Sequence, residues 1–354
     1  MISIRDIRLH PVTLDLKEPF VTHLGKIQQR RSLIIEVIDD AGLHGFGECV
    51  AFESPWYTEE TSHTAQSIIE TFLIPLVVGQ TFEHPRDVYK RFQLFKRHTM
   101  AKAAIDMAVW DIYAQKKQVP LYQCLGGVKS KLELGVVLGI QPIPNLLAAM
   151  MAFQQQGYHH FKLKIAPGHD LRMIEAVRER FPDLSVMVDA NGAYEGSDFN
   201  TLLALDQYAL RMIEQPFSEQ QLLWSARLQD SMHTMIGLDE SIASIEDAKL
   251  AIDLKACGAI NIKLGRIGGI TPTLELIEYA KSNNISLWCG GMLETGIGRA
   301  HALALATLHH FDLPIEFSDS KRYWEQDIIE PILSADHGTI TLSDNFGLGY
   351  IMVR

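Results

Sequence analysis

Cysteine is scarce in this sequence, and its spacing indicates neither C-x-x-C pairing nor a metal site. The four cysteines, Cys49, Cys124, Cys257 and Cys289, contain no C-x-x-C pair. We therefore expect free thiols in a reducing compartment. The sequence also lacks H-E-x-x-H and G-x-S-x-G, and the glycines of Gly290–Gly298 do not form G-x-G-x-x-G. These absences argue against a zinc protease, a serine hydrolase and a dinucleotide-binding fold.

Positive charge is scarce as well. Lysine and arginine number 32 against 43 acidic residues, which gives a formal net charge of −11. The basic clusters Lys90–Lys102 and Lys129–Lys131 are short and interleaved with apolar residues, so no nucleic-acid surface is expected. Met1–His10 alternates apolar and charged residues and has no apolar block, which predicts neither a signal peptide nor a membrane anchor. We expect a cytoplasmic protein without a nucleic-acid or membrane partner.

The length and patterning indicate two structural parts. The 354 residues, 47% of them hydrophobic, exceed a usual (β/α) barrel by about one small domain. In the first part, the pattern predicts antiparallel strands at Ile2–Leu14, Arg31–Ile38 and Leu43–Val50. Helices are predicted after them at Thr58–Val77, Pro85–Phe95 and Lys102–Lys117. After Gly126-Gly127 strands and helices alternate to about Pro314–Ser318, and strand character returns at Gly338–Leu342 and Gly347–Val353. We predict an α/β protein with an α+β cap formed by residues 1–128 and the tail 323–354, and a (β/α) barrel at 129–322.

Two lysines and three carboxylates recur in the second part at successive steps of 25, 25, 25 and 24 residues: Lys164, Asp189, Glu214, Asp239 and Lys263. Each closes or directly follows one of five apolar runs, which are His160–Ile165, Ser185–Asp189, Arg211–Glu214, Met235–Asp239 and Ala259–Lys263. Segments with helical periodicity, such as Leu171–Arg180 and Ile245–Ala256, separate these runs. A repeat of about 25 residues is typical of a (β/α) barrel, whose strands all end on one face. The five side chains should therefore converge on one cavity.

The three acids indicate a divalent metal. A carboxylate directly after an apolar strand is costly to bury unless something pairs with it. A single such residue would more often be a helix cap, but Asp189, Glu214 and Asp239 in register supply three hard oxygen donors, which suits Mg²⁺. The neighbouring Glu240 and Asn191 would orient these ligands through hydrogen bonds rather than bind the metal.

The lysines are candidates for proton transfer. Lys162 and Lys164 alternate within an apolar run, so both should point into the barrel. Mutual repulsion and a nearby metal should lower the pKa of at least one of them below the usual value of about 10.4, which would make it a base. Lys263 would lie across the cavity, and Arg266 would lower its pKa in turn. Two such groups around a metal-bound carboxylate predict proton abstraction next to that carboxylate.

Five short motifs carry a family resemblance: Lys162-Leu163-Lys164, Val188-Asp189-Ala190-Asn191, Ile213-Glu214-Gln215-Pro216, Leu238-Asp239-Glu240-Ser241 and Asn261-Ile262-Lys263. They closely resemble the muconate-lactonizing-enzyme subgroup of the enolase superfamily, whose sites combine a lysine base with Mg²⁺. Two later motifs, Gly265–Gly269 and Trp288–Ala300, are similar to those of the o-succinylbenzoate synthases that are related to N-acylamino acid racemases. The resemblance covers essentially the whole chain and is more specific in the barrel than in the cap.

The resemblance implies an enolase-type modified TIM barrel and an activity. That activity is the Mg²⁺-dependent dehydration of 2-succinyl-6-hydroxy-2,4-cyclohexadiene-1-carboxylate to 2-succinylbenzoate through an enediolate, a step of menaquinone biosynthesis. Lys164 would take the α-proton and assist loss of the hydroxide, and Lys263 would stabilise the enediolate from its opposite face. The three acids would hold Mg²⁺, for which Mn²⁺ could substitute. A small-molecule carboxylate substrate and a homo-oligomer are also implied.

The resemblance further implies which residues contact the substrate. Phe20 and Leu24 of the cap would close over the site. Gly291 and Met292 would lie near the remote carboxylate of the substrate, where glycine admits a close approach to backbone N–H groups. Asn191 and Ile297 complete the expected contacts.

Two positions depart from the pattern of the related racemases. Val137 stands where racemase-like relatives often carry a serine, and Lys321 replaces a usual small or acidic residue. Both departures leave dehydration intact and disfavour racemisation. Two alternatives stay open, namely an N-acylamino acid racemase or dipeptide epimerase that uses both lysines as acid and base, and a barrel without turnover that binds carboxylates.

Overall fold

The computed structural model describes residues 1–22, 25–317 and 319–353 of the chain. In this part, no helix is long and apolar enough to cross a membrane. The first third of the chain is α+β. Its strands are β1 (Ile2–Thr22), β2 (Gly25–Asp39), β3 (His44–Cys49) and β4 (Thr81–Phe82), and its helices are α1 (Ser62–Ile68), α2 (Ile74–Val77), α3 (Pro85–Phe92), α4 (Thr99–Lys117) and α5 (Leu121–Cys124). The strands form an antiparallel sheet in the order β3-β2-β1-β4.

The predicted strands and helices of this part are present, with two boundaries that matter for the site. Strand β1 runs eight residues beyond Leu14, because it pairs with β2 as far as Thr22 opposite Gly25. The first helix begins at Ser62 and not at Thr58, since the Thr61 side chain caps it by accepting a hydrogen bond from the Thr64 N–H. A π-helical turn, Ile69–Leu73, joins α1 to α2.

Helix α4 is the buried centre of this part. It packs against the sheet, and its residues Met100–Ile112 are all buried, as its lack of a polar face predicts. Asp106 accepts hydrogen bonds from the Thr271 N–H and hydroxyl, and Asp111 accepts from the Phe46 and Leu348 N–H groups. Both buried carboxylates therefore connect this helix to distant parts of the chain.

The central part alternates strands and helices. It begins with β5 (Lys131–Glu133) and continues with parallel strands β6 (Gly135–Leu138), β7 (His160–Lys164), β8 (Ser185–Asp189), β9 (Met212–Glu214), β10 (Met235–Leu238), β11 (Ala259–Ile262) and β12 (Ser286–Cys289). The helices between and after them are α6 (Ile143–Gln155), α7 (Leu171–Arg180), α8 (Phe199–Leu203), α9 (Leu222–Ser231), α10 (Ile245–Asp253), α11 (Leu264–Ile267), α12 (Ile270–Ser282) and α13 (Gly296–Ala306). Consecutive strands are neighbours throughout the sheet, from β6 to β12.

A further extended segment closes the sheet into a barrel. The Glu316 N–H donates to the carbonyl of Cys289 at the end of β12, and the Gly135 N–H of β6 donates to the carbonyl of Ile315. The segment around Ile315 thus lies between the first and last strands of the sheet. Because the strands are parallel, their C-terminal ends form one face.

The tail returns to the first part and to the start of the barrel. After α14 (Ser320–Tyr323) come β13 (Ile329–Glu330), β14 (Ala335–Asp336), β15 (Thr339–Thr341) and β16 (Ile351–Met352). Strand β15 pairs with β5, and the Leu121 N–H donates to the carbonyl of Gly347. The tail strands are shorter than the sequence indicated, because turns occupy the residues around them.

Candidate functional site

A cavity opens at the C-terminal face of the barrel, below the β1–β2 hairpin. Its polar lining comes from the strand ends and its apolar lining from the hairpin and from the loop after β3. The lining residues are Phe20, Ile27, Phe52, Trp56, Tyr57, Val137, Lys162, Lys164, Asn191, Lys263, Gly291, Met292, Leu293, Glu294, Arg299, Glu316, Phe317 and Tyr323. The three predicted lysines therefore lie together beneath a cover of aromatic side chains.

The three predicted acids contact the lysines that line this cavity and are not themselves among its lining residues. Asp189, Glu214 and Asp239 terminate or follow the neighbouring strands β8, β9 and β10, and each is at most 1% exposed. Buried carboxylates need compensating partners. Each of them contacts lysine or arginine side chains from within the barrel.

On one side, Lys164 connects an acid to the polar groups above it. Lys164 Nζ lies 2.6 Å from Asp189 Oδ2 and 2.5 Å from Asn191 Oδ1. The Asn191 amide in turn donates to Glu240 at 2.9 Å. Burial and the charge of Asp239 raise the pKa of Glu240 to about 7. Asn191 therefore contacts the ion pair directly, and Glu240 contacts Asn191.

On the other side, Lys263 and Arg266 share one acid. Lys263 Nζ lies 2.7 Å from Asp239 Oδ2, and Arg266 binds the other oxygen of Asp239. The hydroxyl of Tyr57 accepts hydrogen bonds from Lys263 at 2.8 Å and from Arg266 at 3.0 Å. The loop after β3 thus contacts the lysine directly from above.

Lys162 occupies the centre of the site. Its Nζ lies 3.0 Å from Asp189 Oδ2 and 3.0 Å from Glu214 Oε2, and it also binds Glu316. Glu214 accepts a further hydrogen bond from the Asn261 amide at 2.8 Å. Oxygens from two strand ends therefore converge on a single cationic point.

The prediction of a lowered pKa is wrong for Lys263, and Lys162 is not the member of its pair with a lowered pKa in this arrangement. Burial opposes the charge on Lys162, but Glu214, Glu316 and Asp189 outweigh it and raise its pKa well above the usual value. Burial likewise opposes the charge on Lys263, yet Asp239 raises its pKa, although Arg266 acts in the lowering direction that the sequence suggested. The sequence analysis considered repulsion between cations and underestimated the nearby carboxylates, which bind the ammonium groups directly.

The acids offer a suitable donor set for a divalent metal. Within the described ranges, no three His, Cys, Asp or Glu side chains are already drawn together around a metal position. Lysine and arginine side chains instead bind the oxygens of Asp189, Glu214 and Asp239. The three carboxylates are nonetheless hard oxygen donors from adjacent rigid strands, and those of Asp189 and Glu214 already converge on the Lys162 ammonium. The residues present therefore fit a hard cation such as Mg²⁺.

Most, but not all, of the residues predicted to contact the substrate line the cavity. Phe20, Asn191, Gly291 and Met292 line the cavity. Ile297 does not, because its side chain belongs to the first turn of α13 and is fully buried in the hydrophobic core. Leu24 lies outside the described residues.

The N–H groups near Gly291 are not all available to a ligand. The Met292 N–H donates to the carboxylate of Glu294 at 2.8 Å. At the start of α13, the Thr295 and Gly298 N–H groups donate to Glu48, and the Gly296 N–H donates to Asp327. Internal carboxylates therefore occupy the donors that an anion would otherwise find at this helix N-terminus.

Among the polar lining residues that the sequence analysis did not single out, Glu316 and Tyr57 contact the lysines directly. Glu316 follows Pro314-Ile315, an apolar-then-acidic pattern that repeats the earlier strand ends and could have been recognised. Tyr57 lies in a loop with no periodicity, so nothing in the sequence predicts that its hydroxyl reaches Lys263. Of the two positions that depart from the racemase pattern, Val137 lines the cavity and Lys321 is exposed on α14.

Comparisons with known proteins agree with this architecture. Residues 4–126 match the model of the mandelate racemase/muconate lactonizing enzyme N-terminal domain, and residues 146–353 match the enolase C-terminal domain-like model. An o-succinylbenzoate synthase of Bacillus subtilis is 45% identical over 99% of this chain and 94% of its own length. An N-succinylamino acid racemase of Thermus thermophilus is 40% identical over 96% of this chain and 92% of its own length.

Solved structures are similar over the full length. A member of the enolase superfamily from Listeria innocua has a TM-score of 0.97 and 40% identity, and the match covers 99% of this chain and 95% of that one. A dipeptide epimerase from Enterococcus faecalis, in complex with Mg and the dipeptide L-Leu-L-Tyr, has a TM-score of 0.92 and 27% identity, with 99% of each chain covered.

Proposed function

This chain belongs to the mandelate racemase/muconate lactonizing enzyme group of the enolase superfamily, and we propose that it is an o-succinylbenzoate synthase. The reaction removes water from 2-succinyl-6-hydroxy-2,4-cyclohexadiene-1-carboxylate and forms 2-succinylbenzoate. The observation that carries the proposal is the pair Lys164 and Lys263, which line one cavity and are each bound to a different strand-end carboxylate.

In this proposal the two lysines have different roles in the reaction, one as a base and the other as a fixed positive charge. Lys164, in its neutral form, takes the proton next to the substrate carboxylate and then returns it to the departing hydroxide, so that water leaves. Lys263 stays protonated and stabilises the negative charge that develops on the carboxylate. The contacts with Asp239 support this role, because they favour the charged form of Lys263. Lys162 adds a second cation beside the carboxylate of the substrate.

We further propose that Asp189, Glu214 and Asp239 hold Mg²⁺, with Mn²⁺ as a substitute. When bound, the metal would supply the positive charge that makes the α-proton of a carboxylate acidic enough to remove. The donor set supports this assignment, as does the related epimerase with Mg. Asn191 and Glu240 would orient Lys164, and Arg266 would orient Asp239.

The cover of the cavity fits an organic substrate with an apolar part. Phe20, Phe52 and Trp56 line it from the first part of the chain. We propose that they enclose the ring and the succinyl chain of the substrate, with Gly291 and Met292 near the remote carboxylate.

We propose that residues 1–128 and 323–354 form the cap and that residues 129–322 form the barrel. A cytoplasmic location, a homo-oligomer and a place in menaquinone biosynthesis remain predictions.

Racemisation of N-succinylamino acids is the second candidate, because the related Thermus thermophilus protein carries that name. It needs both lysines to exchange protons. The apolar side chain of Val137 in the cavity wall and the charge-favouring contacts of Lys263 favour dehydration. The test is to measure kcat/KM of the purified protein for both reactions with Mg²⁺. We expect dehydration to be faster by several powers of ten, and faster racemisation would refute the assignment.

A further inference from the structure

The centre of the site contains a lysine with more carboxylate partners than it can neutralise. Lys162 is 6% exposed and its Nζ contacts Asp189, Glu214 and Glu316. Of these three, Asp189 and Glu214 are the proposed metal ligands. Glu316 comes from the segment that closes the barrel and is not part of that ligand set.

The oxygens that bind Lys162 are the ones that a metal would need. Asp189 Oδ2 contacts both Lys162 and Lys164, and Glu214 Oε2 contacts Lys162 at 3.0 Å. The other oxygen of Glu214 already accepts from Asn261. A cation that binds Asp189 and Glu214 therefore competes with the ammonium of Lys162 for the same lone pairs.

A displaced Lys162 needs a partner inside the protein. Its ammonium is buried, and an unpaired buried charge is strongly unfavourable. Glu316 is also buried and is held in place from two directions. The Trp288 indole N–H donates to Glu316 Oε1 at 3.0 Å, and the Glu316 backbone N–H donates to the carbonyl of Cys289. Lys162 binds the second oxygen, Oε2, so that neither contact has to change when Lys162 loses its other partners.

We propose that Glu316 is a positioning residue whose fixed negative charge retains Lys162 and frees Asp189 and Glu214 to bind the divalent metal. This inference rests on the proposed metal site. It predicts that Glu316 controls metal affinity through Lys162, although it is not itself a ligand. It also predicts that Lys162 competes with the metal rather than supporting it.

The test is a double-mutant cycle read by isothermal titration of Mg²⁺ into the purified protein, without substrate. Glu316→Gln keeps the size of the side chain and removes its charge. We expect it to weaken Mg²⁺ binding about tenfold, within the range measured for coupled charged neighbours. In the Lys162→Met background the same substitution should change the affinity less than about twofold, because the competing ammonium is gone.

Two controls separate charge from packing. Trp288→Phe removes the hydrogen bond to Glu316 but keeps its charge, and we expect Mg²⁺ affinity within about threefold of the wild type. If Trp288→Phe and Glu316→Gln weaken binding equally, the effect is one of packing and the inference is wrong. Thermal melting establishes that each variant is folded before titration.

The remaining outcomes of the titrations also test the inference. If Glu316→Gln weakens Mg²⁺ binding equally in the wild type and in Lys162→Met, the charge of Glu316 acts without Lys162 and the inference is overturned. Unchanged Mg²⁺ affinity in Glu316→Gln overturns it as well. If Glu316→Gln does not fold, Lys162→Met alone is decisive, because the inference requires it to bind Mg²⁺ at least as tightly as the wild type. A wild-type protein that does not bind Mg²⁺ would instead refute the proposed metal site.

Discussion

Lys164 and Asp189 stand side by side at the ends of two neighbouring parallel strands. They are paired residues in the register of β7 and β8, and Lys164 Nζ lies 2.6 Å from Asp189 Oδ2. The proposed base and a proposed metal ligand are therefore held at a fixed separation by backbone hydrogen bonds of the sheet. A carboxylate bound next to Asp189 would present its α-proton close to Lys164, which is the positioning that proton abstraction requires.

Removal of a proposed metal ligand should abolish metal binding. In Asp239→Asn one oxygen donor loses its charge, and Lys263 and Arg266 lose their shared anion. We expect no measurable Mg²⁺ binding by titration calorimetry and no dehydration. The variant should also be less stable by about 3–5 kcal/mol, because two buried cations lose compensation. Asp336→Asn, at a side chain that is 91% exposed, is the matched control and should bind Mg²⁺ normally. Normal binding by Asp239→Asn would remove that residue from the site.

Lys164 should be required for exchange of the α-hydrogen. Lys164→Ala removes the proposed base and should slow exchange of this hydrogen with deuterated water by about 10²–10⁴-fold, as measured by NMR. Lys249→Ala, at a partly exposed lysine of α10, should exchange like the wild type. If Lys164→Ala retains wild-type exchange, another group is the base.

The second lysine should separate the two candidate reactions. Lys263→Arg keeps a cation, but a guanidinium does not exchange protons near neutral pH. Dehydration in the proposed mechanism needs only the charge at this position, whereas racemisation needs a proton donor and acceptor there. We therefore expect Lys263→Arg to retain a larger fraction of its dehydration than of any N-succinylamino acid racemisation. Equal fractional losses of kcat/KM in both assays would contradict the assigned roles.

The buried carboxyl of Asp106 should make stability depend on pH. Burial raises its pKa to about 7, although hydrogen bonds from Thr271 act in the opposite direction. In the unfolded chain the pKa is about 3.9, so between about pH 4 and 7 the folded state binds more protons. The contribution of this group is therefore stabilising at low pH and is lost as the pH rises through 7, by on the order of a few kcal/mol.

Urea unfolding at about pH 5 and pH 8 measures this effect. The free energy of unfolding of the wild type should fall between these two pH values because of Asp106. The fall should be smaller in Asp106→Asn, because the amide does not titrate. Asp6→Asn, at an exposed carboxylate of β1, serves as the control. An identical pH dependence in wild type and Asp106→Asn would show that this carboxyl does not titrate in the window.

The sequence determined the barrel and most of the polar site by itself. Parallel strands end on one face, so residues at steps of about 25 must meet there once the strand–helix repeat is recognised. This local rule sufficed to group Lys164, Asp189, Glu214, Asp239 and Lys263 at one face of the barrel, where the lysines line the cavity and the acids contact the lysines. The family resemblance, confirmed by the comparisons, added the activity, which no spacing rule supplies.

Tertiary structure decided the partners of those residues. Tyr57 reaches Lys263 from a loop of the first part of the chain, 206 residues away, and Glu316 reaches Lys162 across 154 residues. Such contacts depend on how a loop and a closing strand pack, which periodicity does not encode. The raised pKa values of Lys162 and Lys263 also depend on tertiary contacts, because Glu214 and Glu316 touch the first ammonium and Asp239 touches the second. Ile297 was misplaced for a related reason, since a glycine-rich motif does not tell which side of a helix faces the cavity and which faces the core.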